Sequence, residues 1–371
     1  MYLTEFFKCF EKHYEIKIDE KKKRKVIERG AQLEYSEYQL TKLKNYLCSI
    51  GSQNPKLLQT KINDMIEAVI RQNDGAINEN LFYALLFDHG IPFEEQVSIE
   101  KDNCLKSKNG YKSDGCLAKT LYFDVKSFGL SSKMIAIINQ KLQQKFPKDF
   151  ITVSGNKDVN VSIYEKTIKD ISKIADALNK QSNIKHDVAG YKIQNAELVV
   201  HRYIGYLDEN DPKNRKRESV CEISEANSAK WAKNNEFYPL KHGSQFVKNN
   251  PFILVYPFKK QDFFLFSEDS QEYFYTFRFL ARRIFLHLGK NSKRDLIKCD
   301  KDAEEGVSVK QAISYLSGIL FWNIDNEWDY SNNQMWLYCN PNAKNSIPRH
   351  VLASYFRYIN CHIDNFEYDK Y

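Results

Sequence analysis

Two acidic residues and a lysine stand where they could do hydrolytic chemistry. Asp124 and Lys126 flank Val125 at the end of the run 117–125, in which Leu121, Phe123 and Val125 alternate with Tyr122, Asp124 and Lys126. Alternation of period two predicts a strand whose first set faces a core, and residues i and i+2 then project from one face roughly 7 Å apart. Carboxylate and amine would share a surface. Asp114 lies ten positions before Asp124 and next to Gly115, where a turn or bulge would fold it back beside the strand end. Hydrolysis of a phosphodiester near neutral pH requires a nucleophilic water, neutralised charge on the reacting phosphate and a stabilised leaving oxyanion. A divalent ion held by two or three carboxylates serves all three needs, and Mg²⁺ prefers such hard oxygen ligands. A nearby lysine can orient water or offset phosphate charge.

The elements that must position these residues can be read outward from them. Asn78 is a fair N-cap for a helix over 79–88, whose Leu81, Phe82, Ala84, Leu85 and Leu86 cover most of its circumference, and Gly90 stops it. Such a helix should be buried on more than one side. A strand at 96–100 and a polar loop at 101–112 follow, then the strand 117–125. Ser131 can cap a helix running to about 145. Beyond it the pattern predicts strands at 150–153 and 159–163, a helix at 165–178 and a strand at 197–206. Later elements are a helix at 228–235, a strand at 252–258, an aromatic helix at 271–288 and a helix at 309–320.

Taken together, these residues resemble the PD-(D/E)xK nuclease superfamily, the restriction-endonuclease-like fold. Its pattern is an acid, a variable spacer, then Asp or Glu, any residue, and Lys; here it reads Ser113-Asp114, nine residues, then Asp124-Val125-Lys126. Ser113 stands where the family's eponymous proline would be. The family's core opens with a helix that often carries a Glu and ends at a Gly before the first strand, and Glu79, eleven positions before Gly90, occupies that place. The run Asp124-Val125-Lys126-Ser127-Phe128 is similar to several type II restriction enzymes. The resemblance covers about residues 75 to 165.

It implies an α/β fold: a small mixed sheet flanked by helices, preceded by a helical N-terminal region and followed by an α+β C-terminal region. It implies Mg²⁺, one or two ions, with Mn²⁺ as a substitute, held by Asp114, Asp124 and Glu79 and by Val125 through its main chain. Lys126 would position the attacking water. A glutamine on the helix after the lysine is common in the family; Gln140 is the candidate and Gln143 its rival. The implied activity is endonucleolytic cleavage of double-stranded DNA in a restriction or other defence setting. A homodimer follows if both strands of a symmetric site are cut.

Other readings compete. Asp or Glu, any residue, Lys also occurs at Glu15-Ile16-Lys17, Asp19-Glu20-Lys21, Glu20-Lys21-Lys22 and Asp211-Pro212-Lys213, as a charged chain will produce by chance. The bland reading of Asp124 and Lys126 is an exposed charge pair on a strand. A second function class is a non-catalytic nucleic-acid-binding or scaffold protein with a nuclease-like fold, and a third is cleavage of RNA or single strands. His89 at a helix end is read as a cap, and His242 is read as structural. Arg278, Arg282 and Arg283 lie among aromatics that could stack on bases, though most of those rings should pack a core.

The 371 residues exceed what one ordinary core holds. The division expected is a helical region at 1–70, a nuclease core at 71–206 and an α+β region at 207–371, the last a candidate for DNA binding or dimerisation. Residues 1 to about 60 read as an appendage or dimer arm, with Lys21 to Lys25 a solvated helix face. The basic stretch 211–217 marks the best boundary. A formal charge of +7 gives weak support for a polyanionic partner. The eight cysteines include no CxxC pair, which argues against a zinc ribbon or dithiol site. No apolar stretch reaches bilayer length and the first ten residues lack a signal-peptide core, so no membrane partner and a cytoplasmic location are expected. No phosphate-binding GxxxxGK[ST] loop or GxSxG elbow is present.

Overall fold

The computed structural model describes residues 3–30, 35–71, 74–106, 109–127, 131–155, 161–193, 198–205, 221–223, 228–259, 270–288, 294–296, 306–325 and 335–369. The chain is α/β and divides into two compact units. One comprises Met1–Phe128, Gly243–Lys259 and Gln311–Tyr371, the other Gly129–His242 and Lys260–Lys310. Among the described residues, no helix is long and apolar enough to cross a membrane.

The first unit opens with helices α1 (Leu3–Tyr14), α2 (Glu20–Gly30), α3 (Glu37–Gln53), α4 (Pro55–Arg71) and α5 (Gly75–Asp88). Local chemistry sets their ends. Ser36 Oγ accepts from Gln39 N at 3.1 Å while Gln39 Oε1 accepts from Ser36 N at 2.8 Å, a reciprocal cap that starts α3. Gly90, at φ +63°, turns the chain out of α5, and Ile91 N closes back onto Leu86 O at 2.9 Å. As expected, α5 is buried nearly all round: Leu81, Phe82, Tyr83, Ala84, Leu85 and Leu86 are all inaccessible or almost so.

A seven-stranded mixed sheet follows, in the order β1-β2-β3-β8-β9-β10-β11. Its strands are β1 (Phe93–Ile99), β2 (Tyr111–Leu117), β3 (Leu121–Val125), β8 (Phe252–Phe258), β9 (Gly318–Asn323), β10 (Met335–Cys339) and β11 (His362–Asp364). The first three form an antiparallel meander, β8 runs parallel to β3 and to β9, β10 is antiparallel to β9, and β11 is parallel to β10. Every residue of β8 and β9 is buried, which accounts for their unbroken apolar sequences. Phe82 of α5 meets Phe123 of β3 and Trp322 of β9, with ring centroids 5.1 and 5.9 Å apart. That contact seats the Glu79 helix on the sheet.

Several expectations need correcting. The linear division at 70 and 206 is not the one the sheet makes, because β8–β11 complete the sheet begun by β1–β3. The N-terminal helices are not a separate arm: Phe6, Phe10, Leu43, Leu47, Ile62 and Met65 share one continuous core with Phe123, Ile253, Leu320 and Trp322. The strand expected at 117–125 is two strands, since Ala118 and Lys119 adopt φ of +50° and +57° and reverse the chain between β2 and β3. The helix expected at 309–320 ends at Tyr315, and Gly318–Asn323 is β9. A short apolar run does not distinguish a buried helix from a central strand.

The second unit contains α6 (Ser131–Lys145), β4 (Phe150–Gly155), α7 (Val161–Lys169), α8 (Ile171–Gln181), β5 (Val188–Ile193), β6 (Leu198–Tyr203), β7 (Cys221–Ile223), α9 (Ser228–Asn235) and α10 (Ser270–Arg282). Its sheet has the order β5-β6-β4-β7. Ile163, expected at the end of a strand, is helical, and the start of that strand lies outside the described residues. The basic stretch 211–217 also lies outside them. Within the unit Asp149 and Arg202 form a buried ion pair, with Asn179 on the guanidinium and Gly205 N on the carboxylate.

Candidate functional site

β2 and β3 are paired only as far as Gly115 and Phe123. Past that point three side chains take up backbone groups that strand pairing no longer serves. Ser113 Oγ donates to Phe123 O at 2.8 Å, Asp114 N donates to Asp124 Oδ1 at 3.1 Å, and Val125 N donates to Asp114 Oδ2 at 2.7 Å. Asp114 therefore sits within a strand, not in the turn or bulge expected of it. The segment was hard to read because Tyr-Lys-Ser-Asp-Gly-Cys-Leu is polar and contains a glycine, features that lower strand propensity.

Gly115 is required by the close approach of its neighbours. A Cβ there would lie 2.4 Å from Phe123 Cζ and 2.8 Å from Glu94 O. Phe123, directly opposite in register, packs over the glycine and into the core beneath α5. The small residue beside Asp114 thus lets the three strands close up at the level of the site.

Asp124 and Lys126 do share a face, as their spacing predicted, with Lys126 Nζ 3.3 Å from Asp124 Oδ2. Asp124 is 1 % exposed, which overturns the bland alternative of an exposed charge pair. Its Oδ2 also accepts from the Tyr111 hydroxyl, which lies 3.3 Å from Lys126 Nζ. Burial acts to lower the Lys126 pKa, but the carboxylates of Asp124, Asp114 and Glu79 outweigh it and hold the ammonium above its ordinary value. Lys126 is a fixed cation here, a donor of protons in hydrogen bonds and not a base. Burial beside Asp124 likewise pushes the Tyr111 hydroxyl far above its usual range, so it stays protonated.

Glu79 comes into the same cluster from α5. Its Oε1 accepts from the Tyr83 hydroxyl at 2.7 Å and from Gln96 Nε2 at 2.6 Å. Tyr83 OH also reaches the main-chain oxygen of Asp114, linking helix and strand. Burial, with the negative charges of Asp124 and Glu79, raises the Asp114 carboxyl to about 8. At neutral pH Asp114 holds a proton unless a further positive charge arrives.

A network behind Tyr83 fixes this arrangement. Lys61 of α4 is buried, pairs with Glu95 Oε2 at 2.6 Å and Asn80 Oδ1 at 3.0 Å, and lies 4.6 Å from the centroid of the Tyr83 ring. Tyr46 of α3 donates to the other oxygen of Glu95. Phe93 stacks on Tyr83 at 5.5 Å. Tyr83, Gln96, Tyr111 and Lys61 were all missed in sequence. Only Tyr83 carried a signal, standing four residues after Glu79 on one helix face.

The donor set suits a hard divalent cation in its chemistry: three carboxylates and one counter-charge. Among the described residues, Glu79 Oε2 and Asp114 Oδ1 have no protein hydrogen-bond partner. Yet among those residues no group of three or more His, Cys, Asp or Glu is arranged to hold a metal ion as it stands. The oxygens facing one another are occupied by Val125 N, Asp114 N, Tyr111 and Lys126.

The remaining candidates are accounted for more simply. His89 Nδ1 is 2.9 Å from Leu85 O and caps α5. Gln143 Nε2 donates to Phe146 O and Asp149 O while its Oε1 accepts from Ile151 N, a structural use within the second unit. Gln140 lies on the same helix, in that unit. Arg283 pairs with Glu236 at 2.6 Å. Phe277 and Phe285 are core residues, whereas Tyr275 and Phe279 are exposed. Of the basic run, Lys22 pairs with Glu67 and Lys23 with Glu11. Asn340, just after β10, donates to Ile313 O and Leu316 O and closes the helix Val309–Tyr315.

Comparison with protein-family models, with curated proteins and with solved structures found no match to the chain.

Proposed function

We propose that this protein is a Mg²⁺-dependent endonuclease of the PD-(D/E)xK kind that hydrolyses phosphodiester bonds in double-stranded DNA, in a restriction or other defence setting. The observation that carries the reading is the convergence of Asp114, Asp124 and Glu79, from two strands and a helix, around the ammonium of Lys126. Asp114, Asp124, Glu79 and the main-chain carbonyl of Val125 would hold the ion, with Mn²⁺ as a substitute. Mg²⁺ bound there would supply positive charge to the phosphate and acidify an attacking water.

The protein's own groups would do the rest. Lys126, held cationic, would orient that water and offset the charge that grows on the phosphate oxygens. Tyr111 would keep Asp124 and Lys126 in place through its hydroxyl. Asp114 would give up its proton as the ion enters, since a nearby cation favours the carboxylate form. A homodimer would place one site on each strand of a two-fold target.

The alternative reading, a nucleic-acid-binding or scaffold protein without catalysis, is favoured by one observation: no three acidic groups among the described residues are spaced to hold an ion as they stand. Incubation with plasmid DNA, with and without Mg²⁺, separates the two when Asp124→Asn and Lys126→Ala are run beside the wild type. Cleavage that needs Mg²⁺ and is lost in both variants, with DNA binding retained, supports the nuclease. Binding without Mg²⁺-dependent cleavage by the wild type supports the alternative. Parallel assays on single-stranded DNA and RNA assign the polymer.

A further inference from the structure

Gln96 occupies a backbone conformation that its side chain does not favour. It lies inside β1 with φ +52°, the left-handed region, which glycine and asparagine tolerate and glutamine rarely adopts. Register is intact on either side, with Glu95 opposite Gly115 and Val97 opposite Ser113, so Gln96 stands at the level of Asp114. The preceding residue is anchored: Glu95 is held by Lys61 on one oxygen and Tyr46 on the other. A strained residue fixed from its flanks persists because its surroundings overdetermine it, and such residues concentrate at functional sites.

The strained backbone delivers an amide to Glu79. Gln96 Nε2 and the Tyr83 hydroxyl both donate to Glu79 Oε1, at 2.6 and 2.7 Å. With Oε1 tied twice, Oε2 is the oxygen left for a ligand. We propose that Gln96 is a positioning residue for the candidate hydrolytic site, its left-handed backbone retained so that its carboxamide fixes the rotation of the Glu79 carboxylate. This rests on the nuclease reading above. Outer-shell partners of this kind typically matter about 10–100-fold in metal affinity or activity.

The test compares the full-length wild type with Gln96→Met and Gln96→Gly. Both variants lose the amide, and only glycine relieves the backbone. Mg²⁺ affinity is read by calorimetry, kcat and KM on plasmid DNA, and Tm without metal. The expected result is that both variants lose about 10–100-fold in Mg²⁺ affinity or kcat with KM unchanged, while Gln96→Gly melts roughly 1–3 °C above Gln96→Met. Gln96→Met with wild-type affinity and kcat overturns the assignment to Gln96 while leaving the nuclease reading in place. A wild type that neither binds Mg²⁺ nor cleaves overturns the nuclease reading itself, and the assignment with it.

Discussion

Asp114 and Asp124 each hold the main chain of the other's strand. Val125 N donates to the Asp114 carboxylate and Asp114 N donates to the Asp124 carboxylate. The exchange does the work of ordinary strand pairing where β2 and β3 part, and it brings two acids together without burying orphaned amides. The same proximity makes simultaneous ionisation costly, and that cost has measurable consequences.

The first concerns stability in the absence of metal. Folded Asp114 keeps its proton up to about 8, against an ordinary value of 3.8. Between those values the folded state binds a proton that the unfolded chain has lost. The stability contributed by this proton is complete below about 3.8 and disappears as pH rises to about 8. Asp114→Asn keeps the oxygen that accepts from Val125 N and has no proton to lose. Since Asp114 is only partly buried, solvent screens some of the effect. The variant should gain about 1–3 kcal/mol over wild type at pH 8 and much less at pH 4. Urea unfolding at the two pH values measures this; equal differences at both would refute it.

Metal entry should expel that proton. If Mg²⁺ binds between Asp114 and its neighbours, the Asp114 carboxyl must ionise, so binding at pH 7 should release up to about one proton. Release should fade as pH rises past about 8, where the wild type is already ionised. Calorimetric titration in two buffers of different ionisation enthalpy reads the number directly. An enthalpy independent of buffer at pH 7 would place Mg²⁺ elsewhere.

Gly115 gives a purely steric test. A Cβ there would overlap the Phe123 ring and crowd Glu94 O, so both β1 and β3 would have to move. Gly115→Ala should cost about 2–3 kcal/mol and depress any activity, because the displaced strands carry Asp124 (β3) and Gln96 (β1). Thermal unfolding checks the first part. A variant as stable as wild type would mean that Phe123 can turn aside freely.

Some of this site was legible in sequence and some was not, for physical reasons. Asp124 and Lys126 were placed together by the pleat, a local period that needs no knowledge of the fold. Glu79 was found because a buried helix ending at Gly90 has its own local signature. Asp114 does lie beside Asp124, but in a strand where a turn or bulge is expected, since β2 is a strand by pairing and not by composition. The φ of Gln96 leaves no trace in its residue type. Nor does any local pattern reveal that β8–β11 return to complete the sheet of β1–β3, because that pairing is non-local and the second unit intervenes.

The last prediction concerns Lys61, which supports the site from behind. Its ammonium pairs with Glu95 and lies over the Tyr83 ring, with Tyr46 closing the far side. Lys61→Met would leave Glu95 partly buried without its cation, next to a tyrosine that already donates to it. Removing one member of such a pair costs more than the pair contributes, because the survivor stays charged in a poor solvent. The single variant should therefore lose about 2–4 kcal/mol. Lys61→Met combined with Glu95→Gln removes the orphaned charge while keeping an acceptor for Tyr46, and should recover at least half of that loss. Denaturant unfolding of the two singles and the double closes the cycle. A double variant less stable than Lys61→Met would mean that Glu95 is held by something other than the lysine. Because Glu95 precedes Gln96 and Lys61 faces Tyr83, the same variants should loosen both donors to Glu79. Activity in the double variant should then recover less than stability does.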